Sequence, residues 1–216
     1  MTTHPLILHS YRRCPFAIRV RMTLEEKQIP YTLIEEDLAQ LSPELLNLHP
    51  EGKVPLLIHG DEVIYESSVI TEYLDEISGP THLMPSDPTL RARVRLWTYW
   101  CNELFKPDLD LFKYELKQLS PVQTEALSNR IRGHLKKLSQ PLESQSFLMG
   151  EELNLADIHV FPFYRQLQKS NPHFFNLFET TKIDLWLNRV VSRPSFDRTM
   201  QKMIPSEQIS AATKKK

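Results

Sequence analysis

Cysteine is scarce in this chain of 216 residues: Cys14 and Cys101 are the only two, so there is no disulfide framework. Net charge is nearly absent as well, with 26 basic and 27 acidic residues giving -1. That balance argues against a nucleic-acid or membrane-surface protein held by bulk electrostatics. No apolar run approaches the ~18 residues of a membrane span. The opening Met1-Thr2-Thr3-His4-Pro5 lacks the basic-then-apolar pattern of a signal peptide. The eight histidines show no metal-ligand spacing, and there is no internal repeat or low-complexity segment. Lys214-Lys215-Lys216 reads as a solvated tail. These absences predict a soluble protein of a reducing, cytoplasmic setting, where a free reactive thiol persists.

What is present is an ordinary globular composition, 41% hydrophobic and 25% charged, enough for a substantial core. Residues 1–77 alternate strand-like and helix-like segments. Leu6-Ile7-Leu8 reads as a strand and His9-Ser10-Tyr11-Arg12-Arg13 as a loop, with a helix from Ala17 to about Lys27. Tyr31-Thr32-Leu33-Ile34 follows as a strand, and Ser42-Pro43-Glu44 opens a short helix. Val54 to His59 and Val63-Ile64-Tyr65 read as a hairpin turning at Gly60-Asp61, and Ser67 or Ser68 caps a further helix. Residues 78–88 hold three prolines and a glycine, a linker composition. Residues 89–216 read as all-helical, with a long first helix that Pro107 should kink or break. The expected architecture is a small mixed α+β domain followed by a helical-bundle domain.

The most informative stretch is Cys14-Pro15-Phe16-Ala17. Proline is tolerated in the first helical turn, so Pro15 puts Cys14 at the helix N-terminus. There the unpaired N–H groups and the positive end of the dipole favour thiolate over thiol. Arg12, Arg13 and Arg19 act in the same sense if they point at the sulfur. Val54-Pro55, at the head of a strand, costs a ladder bond, and a cis X-Pro bond in a tight turn explains it better. Such a turn would offer the Val54 N–H and C=O to an extended peptide ligand.

These residues resemble the glutathione transferase superfamily, in which a thioredoxin-like N-terminal domain with a mixed four-stranded sheet precedes an all-helical one. The resemblance also rests on Asn47 to Pro55, on Tyr65-Glu66-Ser67-Ser68 leading into Ile70 to Asp75, and on Asn154-Leu155-Ala156-Asp157. Cys-Pro-Phe-Ala is most similar to the omega class and related bacterial cysteine-type enzymes. Those favour thiol transfer over conjugation, which usually relies on a tyrosine or serine hydroxyl. Ala17 stands where a Cys-x-x-Cys pair would have its second thiol, so the motif itself allows only one-thiol chemistry.

The resemblance implies monothiol exchange with glutathione as co-substrate and no further cofactor, Cys14 being the catalytic residue. Val54 would bond the cysteinyl portion of glutathione, Glu66 its ammonium, and Ser67 its γ-glutamyl carboxylate. Lys53 would meet the glycyl carboxylate, and Phe16 would line the pocket. The omega pattern has a lysine upstream of Val-Pro where this chain has Leu41-Ser42-Pro43. Mixed disulfides or dehydroascorbate-like molecules are the implied substrates, and a homodimer the implied assembly. Reductive removal of glutathione from aromatic adducts and a non-catalytic binding module are the alternatives. Cys101 reads as a buried thiol, Asn154 with Asp157 as a capping box, and Trp97, Tyr99, Trp100, Glu103, Tyr114 and Trp186 as core or second-substrate residues.

Overall fold

A computed structural model describes residues 4–79 and 82–202. The chain divides into two compact units, one made of the segment up to His82 with the segment from Arg193 onward, the other of Leu83–Ser192.

The first unit is a four-stranded mixed sheet with helices. Strand β1 (Leu6–Ser10) lies in the interior, parallel to β2 (Tyr31–Glu35) and antiparallel to β3 (Leu56–His59), which pairs antiparallel with β4 (Glu62–Tyr65). Helix α1 (Pro15–Glu26) joins β1 to β2, as a parallel crossover requires. Helix α2 (Pro43–Leu48) lies between β2 and β3, and α3 (Ser67–Ile77) follows β4. Alternation along β1 sends Leu6 and Leu8 to one face, where they pack with Leu33, Leu57, Val20 and Leu24 of α1, and Ile70 and Leu74 of α3.

Two boundaries differ from the sequence reading. β1 continues through His9 and Ser10, which the sequence places in a loop; both are fully buried, and His9 pairs in register with Ile34 and Leu56. The polar His9 ring tolerates this because its Nδ1 meets Glu36 at 2.6 Å. β3 starts at Leu56 because the Val54-Pro55 bond is cis, as expected, and the backbone turns there before the ladder begins.

The second unit is helical throughout. Helix α4 (Pro88–Tyr99) runs through a π-helical segment (Trp100–Phe105) into α5 (Lys106–Asp110), then a second π segment (Leu111–Glu115) and a 3₁₀ turn (Leu116–Gln118). Pro107 therefore does not break the helix. The wider turn just before it, with the Lys106 N–H donating to the Cys101 carbonyl, makes room for the proline ring. The same widening moves residues three apart off a common face: Cys101 and Phe105 are fully buried, whereas Leu104 is half exposed. Helices α6 (Pro121–Leu142), α7 (Leu155–Ser170), α8 (Pro172–Phe175) and α9 (Thr181–Val191) complete the unit. Ser120 and Gln123 form a capping box on α6.

Helix α7 is set by Asn154 and Asp157, the capping box read from the sequence. Asp157 is fully buried; its Oδ1 accepts from the Leu148 N–H and the Trp186 indole, both at 2.8 Å, and its Oδ2 from the Asn154 N–H at 3.1 Å. Trp186 is accordingly a core residue of this unit.

Helix α10 (Pro194–Met200) returns to the first unit and packs on α1. Arg193 makes a two-pronged bond to Glu26, at 2.6 and 2.7 Å, and Arg198 bonds Glu25 at 2.6 Å. Among the described residues no helix is long and apolar enough to cross a membrane, and no His, Cys, Asp and Glu cluster could hold a metal ion.

Burial pushes the Asp157 carboxyl from its ordinary 3.8 up to about 6, despite three N–H donors. Between those values the folded chain holds a proton there that the unfolded chain has released. This group therefore removes stability as pH rises from about 4 to about 6, by roughly 3 kcal/mol. Urea unfolding should show that slope in the native protein and not in Asp157→Asn. At neutral pH Asp157→Asn should also cost about 1–3 kcal/mol, because an amide nitrogen would face the Asn154 N–H. An unchanged pH slope in the variant would contradict the assignment.

Candidate functional site

The end of β1 turns into α1 through a β-turn, in which the Cys14 N–H donates to the Tyr11 carbonyl at 2.9 Å. Cys14 is the N-cap of α1 with extended backbone (φ -72, ψ 121), and Pro15 opens the helix, as the sequence predicts. The thiol is half-buried, and its Sγ lies 3.9 Å from the Val54 carbonyl oxygen across the cis bond. Cys14 and the Val54-Pro55 turn, 40 residues apart in sequence, thus meet at one point. Ala17 is fully buried one turn along. Cys101 is a buried thiol of the second unit, within 3.6 Å of the His159 carbonyl.

Glu66 and Ser67 stand at the start of α3 with a geometry that the sequence reading did not give. The N-cap is Glu66, not Ser67 or Ser68, and it adopts positive φ (φ 66, ψ 114), a conformation rare for a residue with a side chain. Such conformations cluster at ligand sites, where surrounding structure holds them. Ser67 is then the first helical residue, and its buried Oγ accepts from Arg19 Nη1 at 3.1 Å instead of capping the helix.

Arg19 is the residue that sequence reasoning missed. It was expected, at most, to point at the sulfur. Instead its fully buried guanidinium crosses from α1 to α3, and lies over the Phe16 ring at 5.1 Å. The alternation of Arg19 and Arg21 with Ile18, Val20 and Met22, which puts charges on buried turns of the helix, was the available signal. Phe16 thereby serves as a platform for Arg19. Lys53 is exposed and paired with Glu51, which raises the lysine pKa and lowers that of the carboxylate.

A second polar network ties β1 to the start of α2. Glu36 is buried and binds His9 at 2.6 Å, while Ser42 gives it both its hydroxyl, at 2.6 Å, and its N–H, at 2.8 Å. Ser42 is also the N-cap of α2, so β1 and α2 share one carboxylate. His49 ends α2 and is buried. Burial lowers its pKa, and its Nδ1 accepts from the Glu51 N–H at 3.0 Å.

Against known proteins, the glutathione S-transferase N-terminal domain matches residues 8–82 and its C-terminal domain residues 114–194. A probable glutathione S-transferase parC of Nicotiana tabacum is 30% identical over 206 residues, which cover 93% of this chain and 91% of that protein. Glutathione S-transferase U2 of Arabidopsis thaliana is 43% identical over 147 residues, 67% of this chain and 63% of the relative. The Tau class glutathione S-transferase of mango, Mangifera indica, superposes with a TM-score of 0.80 at 28% identity, covering 96% of this chain and 97% of that one. Glutathione transferase Omega 3C of Trametes versicolor shares the fold at 23% identity (TM-score 0.78, covering 92% and 90%). The chain belongs to the glutathione S-transferase family, with its thioredoxin-like first domain and helical second one. The omega-like class implied by Cys14-Pro15-Phe16-Ala17 does not follow from these relatives, of which the mango protein is named as Tau class.

Burial opposes ionisation of Glu36, but the bonds from His9 and Ser42 outweigh it and hold its pKa below the ordinary 4.5. A depressed carboxylate contributes stability above its unfolded pKa and loses it as pH falls toward the folded one. Unfolding free energy should therefore drop below about pH 4.5. Glu36→Gln should flatten that drop and cost about 1–3 kcal/mol at neutral pH, read by urea titration. An equal acid slope in the variant would assign the effect elsewhere.

Proposed function

We propose that this chain is a glutathione-dependent thiol transferase working by one-thiol exchange at Cys14. The observation that carries the reading is the half-buried Sγ at the N-terminus of α1, 3.9 Å from the Val54 carbonyl beside the cis bond. Val54 is half-buried there, and its backbone would bond the cysteinyl part of glutathione, an extended tripeptide. The start of α3, with Glu66 and Ser67, would receive the γ-glutamyl ammonium and carboxylate. Arg19 supports that end by holding Ser67 Oγ. Phe16 would act through Arg19. Lys53, paired with Glu51, would have to exchange that partner to reach the glycyl carboxylate.

In the first step the Cys14 thiolate attacks one sulfur of a disulfide R–S–S–R′. The S–S bond breaks, a mixed disulfide forms on Cys14, and the leaving thiolate takes up a proton. When the partner on Cys14 is glutathione, a second glutathione thiolate attacks that bond, releases glutathione disulfide and returns Cys14 as thiolate. Atoms and electrons balance without any further cofactor. The helix end stabilises the thiolate in both steps. The omega-like character belongs to this reading, and rests on a thiol where conjugating relatives use a hydroxyl. Ser10 is fully buried, which favours the thiol over that hydroxyl. A cytoplasmic homodimer is part of the same proposal.

Turnover of a glutathione mixed disulfide should fall to the uncatalysed rate in Cys14→Ser and persist in Cys101→Ser. Undiminished turnover in Cys14→Ser would overturn the mechanism. Strong conjugation of aryl halides that survives in Cys14→Ser would instead indicate a hydroxyl-based transferase.

A further inference from the structure

The turn that leads into Cys14 carries two arginines at its tip, and no carboxylate pairs with either guanidinium among the described residues. Arg12 Nη1 donates to the Met200 carbonyl at 3.3 Å, while its backbone N–H is the group that meets Glu35, at 2.7 Å. Glu35 is shared with Arg21, whose Nη1 lies 3.7 Å from it. Arg13 is exposed, and its one bond runs from Nε to the Tyr11 hydroxyl oxygen at 2.8 Å, with the guanidinium 5.5 Å from the Tyr11 ring centroid. Among the described residues, Glu35 meets the Arg12 backbone N–H and Arg21 Nη1, and pairs with neither the Arg12 nor the Arg13 guanidinium. Elsewhere on α1, by contrast, Glu25 pairs with Arg198 of α10 and Glu26 with Arg193, the N-cap of that helix.

Two donors remain in this turn. The Arg13 bond through Nε holds the guanidinium against Tyr11 and keeps both Nη groups available as a fork for a carboxylate. The Tyr11 oxygen accepts that bond, so its own O–H remains to donate. The turn hydrogen bond from Cys14 N–H to Tyr11 carbonyl, at 2.9 Å, sets this pair in the turn that ends at Cys14.

We propose that the second substrate at Cys14 is an acidic disulfide, one that carries a carboxylate close to the reacting sulfur, and that Arg13 seated on Tyr11 is the group that selects it. The inference rests on the thiol-exchange reading and deepens it. The incoming carboxylate is held by Arg13 and Tyr11 while the Cys14 thiolate attacks the adjacent disulfide sulfur. The S–S bond breaks and the departing thiolate leaves with the electron pair. Neutral disulfides of the same shape gain nothing from the pair.

Two measurements in Cys101→Ser, where Cys14 is the only thiol, test this separately from the thiol-exchange reading. The first is alkylation of Cys14 by iodoacetate and by iodoacetamide, reagents that deliver nearly the same group and displace the same iodide but differ in charge. Any general activation of the thiolate cancels in the ratio of the two rates. Arg13→Gln should lower the iodoacetate-to-iodoacetamide ratio roughly two- to ten-fold at low salt. The difference should collapse near 1 M salt, where the screening length is about 3 Å. The second is turnover of glutathione mixed disulfides with a small thiol acid and with its amide, where Arg13→Gln should lower the acid-to-amide ratio of kcat/KM. An alkylation ratio that Arg13→Gln leaves unchanged overturns the proposal, whether or not any disulfide is turned over. A lowered alkylation ratio without turnover of either disulfide would retain anion recognition at Cys14 but overturn the acidic-disulfide substrate and the thiol-exchange reading with it.

Discussion

The geometry of the first unit depends on how the N-terminus of α1 is capped. At α2, α4 and α6 the capping side chains of Ser42, Asp87 and Ser120 each accept a helix N–H. At α1 the capping residue is Cys14, and its sulfur makes no such bond. Pro15 compensates in part, since it brings no N–H of its own and its fixed φ suits the first turn. The sulfur is thereby left at the helix end facing the Val54 carbonyl, and the cis bond at Pro55 determines what it faces.

Around that point, polar groups wholly or partly withdrawn from water are tied to more than one element. Arg19 joins α1 to α3, Glu36 joins β1 to α2, and Glu26 joins α1 to α10. Each is a charge removed from water, and such groups are costly unless their partners are complete. Losing any one partner should disturb the element at the far end rather than the immediate surroundings alone. Asp157 does the same work in the second unit, where it gathers the Leu148 N–H, the cap of α7 and the Trp186 ring.

The sequence makes the positions of the chemistry legible because those positions are marked by residues with narrow backbone tolerance. Pro15 after Cys14 marks a helix start, Pro55 at a strand head marks a turn, and Asn154 with Asp157 marks a cap. What stays hidden is side-chain direction. Ser67 looks like an ordinary N-cap, yet its hydroxyl turns to Arg19, and nothing in a linear pattern shows that Glu66 takes positive φ. His9 and Ser10 read as loop because they are polar, but a carboxylate 27 residues away makes His9 a strand residue. Pro107 reads as a helix break, and the π turn that absorbs it has no local signature. The class within the family is equally hard to read, since a motif of four residues points to one class while the mango protein, which superposes over 96% of this chain, is named as another.

The central claim is that Cys14 is the sulfur that exchanges with glutathione. Intact-mass and peptide mass spectrometry after brief incubation with glutathione disulfide tests it without any assumption about the second substrate. The account predicts a single glutathione adduct on the peptide that contains Cys14, removed by added glutathione, with Cys101 unmodified while the chain stays folded. An adduct on Cys101 instead, or none on Cys14 under conditions that modify a free peptide of the same sequence, would contradict it.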